Sequence, residues 1–302
     1  MPPLLFALSA ADGLAQSLAG ALGAELGEIE IRRFPDEETY LRYHTDPAGR
    51  AVILLCTLDR PNEKTLPLLF AAATARDLGA VDVGMVCPYL AYMRQDRRFH
   101  TGEAVTSTIF PGLLSQEADW LVTIDPHLHR HRSLSEIYSM PATVLHAKPL
   151  IADWIKRRIA KPLLIGPDSE SEQWVSAVAA IADTPFIVLD KVRHGDRDVT
   201  VSVPEVARWT DHTPVIIDDI ASSAGTMIET VERLRSAGMT PPVCIAVHGV
   251  FAGSAFENLI DCGVQSIIST NTIAHQSNDI DVSGLLAEGI LAQLSGASGE
   301  TP

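Results

Sequence analysis

The sequence predicts an α/β protein of two successive units, each built around a central, mostly parallel sheet. Apolar, β-branched runs alternate with helical patterns along most of the 302 residues, as βαβ crossovers require. The alternation runs through once and then restarts beyond about residue 146. A chain of 302 residues is also long enough to bury two cores of ordinary size.

The elements follow in order. "MPPLLFALSAADGLAQSLAGALG" reads as a strand and an amphipathic helix; it lacks the basic n-region of a signal peptide, and Asp12 interrupts its apolar run. "AVILLCTL" (51–58) is a buried strand, followed by a helix over 62–79 with Gly79 at its C-terminal cap. A strand "DVGMVCPYL" (82–90), a helix "TSTIFPGLLSQEA" and a strand "WLVTID" (120–125) complete the first series. After "PATVLHAKPLIADWIKRRIA" come "KPLLIGPDSE", the helix "SEQWVSAVAAIA", "PFIVLDK", "VIIDD", the helix "TMIETVERLRSAG", "PVCIAVHGVF" and "QSIISTN".

Composition sets further bounds. With 46% apolar and 20% charged residues and no low-complexity tract, the chain reads as soluble and globular, except for the terminal "SGASGETP". No segment reaches ~18 uncharged apolar residues, so no membrane span is expected. The net charge of −15 argues against a general nucleic-acid binder, and any anionic ligand must be held by local basic clusters. Cys56, Cys87, Cys244 and Cys262 lack CxxC spacing, and a reducing, cytoplasmic compartment fits best.

In open α/β sheets ligands bind beyond the carboxyl ends of strands. Those ends carry Arg94, Arg97, Arg98, Arg130, Arg132, Lys191, Arg193 and Arg197, the distribution a polyphosphate site needs in an acidic protein. Any single cluster could be solvated loop charge; four together point to a site. In "VIIDDIASSAGTMIET" (215–230), small residues let a backbone approach a ligand, and Ser222, Ser223 and Thr226 offer hydroxyls at a helix N-terminus where a phosphate binds. Taken alone, the same loop could be a strand-to-helix turn with a serine cap.

This loop, with "RRFPDEETYLR", "PYLAYMRQDRRFHTGEAVTS", "IDPHLH", "GPDSES", "DKVR", "VHGVFAGSA" and "STNTI" in that order, resembles the ribose-phosphate diphosphokinase (phosphoribosyl diphosphate synthetase) family from about residue 5 to 290. "RRFHTGEA" is closest to the archaeal-type members. The resemblance implies two phosphoribosyltransferase-like domains. These are an ATP-binding domain over 1–146 and a ribose 5-phosphate-binding domain over 147–283, with a helix from about 284 packing back on the first. It implies transfer of the β,γ-diphosphoryl group of ATP to C1 of ribose 5-phosphate, giving phosphoribosyl diphosphate and AMP, with Mg²⁺ as cofactor. It further implies a homo-oligomer whose adenine site is shared between subunits.

The resemblance also implies roles. Phe34, Asp36 and Glu38 match the segment that holds the adenine, with Glu37 where the family usually has Gly. Arg94, Gln95, Asp96 and Arg97 match the ATP segment, an arginine fork suited to phosphate oxygens. His127 and Asp168 match metal-site residues. The neighbouring His129 and His131 raise a zinc alternative, since alternation places imidazoles on one face of an extended segment. The stretch "HLHRHRSLSEIYSMP" is longer than usual, so His129 receives no role by transfer. Lys191 and Arg193 match a catalytic pair that neutralises the transferring group, in a charged loop whose Gly195 suits a closing lid. Asp218, Asp219, Ser222, Ser223, Ala224, Gly225 and Thr226 match the ribose 5-phosphate site, Arg193 joining them on the substrate. Ser222 stands where many relatives carry Asp, which excludes a carboxylate base there.

Two rival readings use the same loop. A phosphoribosyltransferase shares "DDIASSAGT" but gives no reason for "RRFPDEE" or "YMRQDRR". A non-catalytic regulatory subunit could lose Lys191, Arg193 or His127, and all three are present.

Overall fold

The structure, a computed structural model, describes residues 1–168, 171–189, 192–194, 198–200 and 206–296. The chain forms two units. The first comprises Met1–His146, Thr272–Ala274 and the chain from Val282; the second comprises Ala147–Asn271 and His275–Asp281. Both have the predicted α/β class with a parallel six-stranded sheet.

The first unit opens with β1 (Leu4–Ser9), α1 (Leu14–Leu22) and the short β2 (Glu25–Leu26). Leu14, Leu18 and Leu22, four residues apart, bury one face of α1 between the left-handed Gly13 and Gly23. A hairpin, β3 (Ile29–Arg33) and β4 (Thr39–Tyr43), comes next, then β5 (Ala51–Cys56) and α2 (Pro61–Asp77). Pro61 suits the first turn of α2 because its missing N–H costs nothing there. Gly79, at φ 91, closes the helix so that the N–H of Ala80 reaches the Ala75 carbonyl at 2.9 Å. Then follow β6 (Asp82–Cys87), α3 (Thr106–Glu117), β7 (Trp120–Ile124) and β8 (Ala142–Leu145). The strand order is β2-β1-β5-β6-β7-β8, all pairs parallel. β5, β6 and β7 are buried almost end to end, as a sheet covered on both faces must be.

The second unit runs α4 (Lys148–Arg158), β9 (Pro162–Gly166), α5 (Glu172–Ala182) and β10 (Phe186–Val188). A second hairpin, β11 (Val192–His194) and β12 (Asp198–Thr200), precedes the long β13 (Thr213–Ala221). The remainder is α6 (Gly225–Ser236), β14 (Val243–Gly249), α7 (Ala255–Asp261), β15 (Ser266–Thr270) and β16 (Asn278–Ile280). Its strand order is β10-β9-β13-β14-β15-β16, again parallel. The buried cluster of Leu163, Ile165, Ile216, Met227, Val231, Leu234, Cys244 and Leu259 joins this sheet to α6 and α7.

The last helix, α8 (Ser283–Leu294), belongs to the first unit. Gly289 lets it approach closely: a Cβ there would lie 2.8 Å from the Leu145 side chain of β8 and 3.2 Å from Val122 of β7. Gln293 Nε2 donates to Thr143 Oγ1 at 2.6 Å. The four cysteines are free thiols, and burial pushes Cys56 up to about 12, so its nucleophilic thiolate is suppressed. Among the described residues no helix is long and apolar enough to cross a membrane.

Candidate active site

In the second unit, β9 and β13 are neighbours although a helix, a strand and a hairpin separate them in sequence. From β9 the chain crosses to β10 on one side; from β13 it crosses to β14 on the other. The sheet order therefore reverses between them, which opens a crevice at their carboxyl ends. Asp168 lies two residues beyond β9, and Asp218 and Asp219 lie near the carboxyl end of β13, which runs past the two acids to Ala221. Burial and the adjacent charges of Asp219 and then Asp168 push the Asp218 carboxyl well above its usual range. The acids thus concentrate negative potential that a cation or sugar hydroxyls would relieve. Asp168 also shapes its own turn: Ser171 N–H donates to its Oδ1 at 3.1 Å, at the start of α5.

The loop after β13 is the second component. Ala224, at φ 56, takes the left-handed conformation at the start of α6, whose first N–H, that of Gly225, reaches Ser223 Oγ at 3.5 Å. The loop is held from behind: Phe251 N–H donates to the Ala221 carbonyl at 2.8 Å, and Ala252 N–H to that of Ser222 at 2.9 Å. Gly225 is informative because its φ is ordinary and a Cβ there would meet nothing nearer than Ser223 Oγ at 3.6 Å. Nothing in the protein's own packing requires glycine at this position. A bare backbone there suits a ligand seated against the helix N-terminus.

The first unit contributes differently. Arg94, Gln95, Asp96 and Arg97 lie in an irregular segment between β6 and α3. Arg94 and Arg97 are exposed, Arg97 lying over the Phe99 ring at 4.4 Å. Asp96 is different: its side chain is buried and pairs with Arg130 at 3.4 Å. It ties the basic segment to the loop after β7. Glu103 orders the far end of the same segment, accepting from Phe99 N–H at 2.7 Å and His100 N–H at 3.0 Å. Its carboxyl is held below the ordinary range by His100.

In the loop after β7, the rings of His127 and His129 lie 3.8 Å apart, His127 half-buried and His129 exposed. His131 turns away, its Nε2 3.1 Å from Ser107 Oγ and its Nδ1 3.9 Å from Glu136. The alternation "HLHRH" therefore groups two imidazoles, not three.

Phe34, Asp36 and Glu38 sit at the tip of the β3–β4 hairpin, where Phe34 N–H donates to the Glu38 carbonyl at 2.8 Å. Phe34 is 41% exposed, meets Tyr40 edge to face at 6.0 Å, and shares the Arg32 guanidinium, which lies 5.0 Å from its ring and 3.9 Å from that of Tyr40. An exposed aromatic flanked by a cation can stack on a base. Glu37 adopts φ 72, a left-handed conformation that glycine takes without strain. Its salt bridge to Arg33 at 2.5 Å offsets part of that cost.

Lys191 lies outside the described residues. Arg193 is on β11, where its backbone pairs with Val199. Arg130, counted in the sequence among the strand-end cations, pairs with Asp96; the residues that sequence reasoning missed are the supports Phe251 and Ala252 behind the 221–226 loop. "VHGVFAGSA" carried a family signal, but its backbone role depends on a contact no local pattern encodes.

Comparison with known proteins follows the same division. Residues 4–117 match the N-terminal domain of ribose phosphate pyrophosphokinase, and residues 133–282 match the phosphoribosyl transferase domain. A ribose-phosphate pyrophosphokinase of Methanobrevibacter smithii is 31% identical over 92% of this chain and 97% of its own. That of Saccharolobus solfataricus is 34% identical, again over 92% of this chain and 97% of its own. The crystal structure of phosphoribosylpyrophosphate synthetase from Mycobacterium smegmatis superposes with a TM-score of 0.84 at 23% identity, over 97% of this chain and 99% of that one, and so shares its fold. With relatives above 30% identity matched along nearly their whole length, this chain belongs to the ribose-phosphate pyrophosphokinase family.

Proposed function

We propose that the protein transfers the diphosphoryl group of ATP to the C1 hydroxyl of ribose 5-phosphate, forming phosphoribosyl diphosphate and AMP. The observation that carries this reading beyond family membership is the second unit's crevice, with acids at the ends of β9 and β13 beside a small-residue helix N-terminus whose Gly225 leaves ligand space. In the assigned roles, the α6 N-terminus with Ser222, Ser223 and Thr226 receives the 5-phosphate. Asp218 and Asp219 face the ribose hydroxyls. Arg94 and Arg97, steadied through Asp96, hold the nucleotide phosphates, and Phe34 with Asp36 and Glu38 takes the adenine.

The C1 oxygen forms a bond to the β-phosphorus of ATP as the bond from that phosphorus to the α-phosphate oxygen breaks. AMP leaves, and the hydroxyl proton passes to solvent. Lys191 and Arg193 neutralise the transferring group. With Ser222 in the position of an acid, the loop holds the acceptor without deprotonating it.

Mg²⁺ fits the oxygen donors of the second unit, where the charges of Asp219 and Asp168 help raise the Asp218 carboxyl; Asp168 would hold it directly, and His127, matched to the family's metal site, would act through water. When bound, it supplies charge neutralisation at the phosphate oxygens. The imidazole pair His127 and His129 is a poor direct donor set for so hard a cation. The exposed placement of Phe34 at the tip of the β3–β4 hairpin supports an adenine site completed by a neighbouring copy in a homo-oligomer. Four free, unpaired thiols support a cytoplasmic setting.

Phosphorus NMR of purified protein with Mg-ATP and ribose 5-phosphate tests the reading. Equal production of AMP and phosphoribosyl diphosphate is expected; ADP as product, or turnover independent of the sugar, overturns it.

A further inference from the structure

The sugar-phosphate loop is held by two N–H groups, those of Phe251 and Ala252, and these depend on an uncommon backbone conformation. Phe251 sits at φ 38, left-handed without being glycine. Such a conformation persists only where the surroundings over-determine it. Here the surroundings are aromatic. The buried Phe251 ring lies 5.3 Å from that of Phe256 and 4.7 Å from His275, and His275 in turn lies 4.6 Å from Phe256. The bare Gly249 makes room for this ring, since a Cβ there would lie 2.7 Å from it.

His275 is itself fixed by a closed circuit of hydrogen bonds. Its backbone N–H donates to Asn278 Oδ1 at 2.9 Å, Asn278 Nδ2 donates to Ser269 Oγ at 2.9 Å, and Ser269 Oγ meets Ser277 Oγ at 2.7 Å. Ser277 Oγ closes the circuit on His275 Nδ1 at 2.8 Å, and Ser277 N–H also points to that nitrogen at 3.2 Å. An Nδ1 that accepts from both groups makes the ring neutral, with its proton on Nε2. Ser269, with Thr270, forms the buried end of β15, so the circuit anchors the imidazole to the sheet.

We propose that His275 is a positioning residue for the sugar-phosphate subsite. The anchored imidazole holds the Phe251 ring, the ring holds the left-handed backbone at 251, and that backbone sets the carbonyls of Ala221 and Ser222 on which the loop rests. This inference rests on the assignment of the 221–226 loop to ribose 5-phosphate. His275 touches neither substrate in this scheme, so its removal should act on one substrate's binding and spare the chemistry.

The test compares wild type with His275→Ala, His275→Phe and Ser277→Ala, by kinetics with Mg-ATP and ribose 5-phosphate and by hydrogen exchange across 221–228. His275→Ala should raise KM for ribose 5-phosphate about 10-fold, with KM for ATP and kcat changed less than about threefold, and should speed exchange in 221–228. His275→Phe, which keeps the ring contacts to Phe251 and Phe256 but loses the anchor at Nδ1, should recover only part of the loss. Ser277→Ala should fall between, and it carries the test alone if His275→Ala does not fold. An unchanged KM for ribose 5-phosphate with unchanged exchange overturns the proposal, as does an equal rise in KM for both substrates. If wild type does not use ribose 5-phosphate at all, the functional reading fails, and the exchange of 221–228 alone decides the coupling to His275.

Discussion

The two units share one topology and use it in opposite ways. Numbered within each unit, the sheet strands run 2-1-3-4-5-6 in both, and each has an antiparallel hairpin inserted between its second and third sheet strands. Each sheet therefore has the same reversal point, between β1 and β5 in the first and between β9 and β13 in the second. In the second unit that crevice is lined by Asp168, Asp218, Asp219 and the small-residue loop. In the first, Thr57 N–H donates to the Ser9 carbonyl at 2.7 Å, and the buried Thr57 Oγ1 donates to the Thr272 carbonyl at 2.7 Å, so the chain's own backbone fills the corresponding place. The first unit instead places its charged groups beyond β6 and β7, in long loops. A reversal point is thus an opportunity that topology offers; the residues at the strand ends decide whether a ligand or the chain itself takes it.

The hairpins extend the contrast and carry the largest expected effect. Lys191→Ala, just before β11, should lower kcat by about 10²–10³-fold and leave ATP binding intact. Phe34→Ala in the first unit's hairpin should act mainly on KM for ATP. An unchanged kcat in the first variant would remove Lys191 from the chemistry and erase the difference between the hairpins.

The two crevices come next. Ala224→Val forces a β-branched residue into the left-handed region and should raise KM for ribose 5-phosphate roughly 100-fold. Gly225→Ala should raise it about 10-fold while thermal stability holds or rises, because alanine is the better helix former by ~1 kcal/mol. Thr57→Val, at the filled crevice, should do the reverse, costing about 0.5–1.5 kcal/mol of stability through the lost hydrogen bond to Thr272 and leaving both KM values alone. If Gly225→Ala leaves the sugar-phosphate KM untouched, the second crevice is not the subsite.

The acids of the second crevice give a pH signature. Because the folded Asp218 carboxyl is raised, the folded state binds its proton more tightly than the unfolded chain does. Without a divalent ion, stability should therefore decline as pH rises from the unfolded carboxyl's range, about 3.9, through the raised folded value. Asp218→Asn should flatten this decline in thermal melts across pH and weaken ribose 5-phosphate binding. The smallest effect belongs to the first hairpin. Glu37→Gly exchanges left-handed strain for the loss of an exposed ion pair and should move stability by no more than about 1 kcal/mol, upward if strain dominates.

Much of this was legible before folding. The alternation of buried runs and helical faces follows from two periods, 2.0 and 3.6, that each element carries within itself, and so the α/β class with parallel sheets could be read directly. Left-handed Gly79 at the end of α2 was equally local. The Arg33 bond that tolerates Glu37 was not, since the substitution alone showed only a missing glycine. Nor was the burial of Asp96 on Arg130: an acid within "MRQDRR" looks like one more ligand-facing charge until the loop after β7 is laid beside it.

The sequence by itself determined which chemistry each strand end carries: arginines after β6, imidazoles after β7, acids and small residues after β13. Only the tertiary structure decided which of those ends are neighbours. Parallel strands present the same backbone ladder to any partner, so adjacency is set by crossover packing over long sequence separations and is absent from any local pattern. That is why the approach of Asp168 to Asp218, and the backbone of Phe251 and Ala252 under the 221–226 loop, emerge only from the fold.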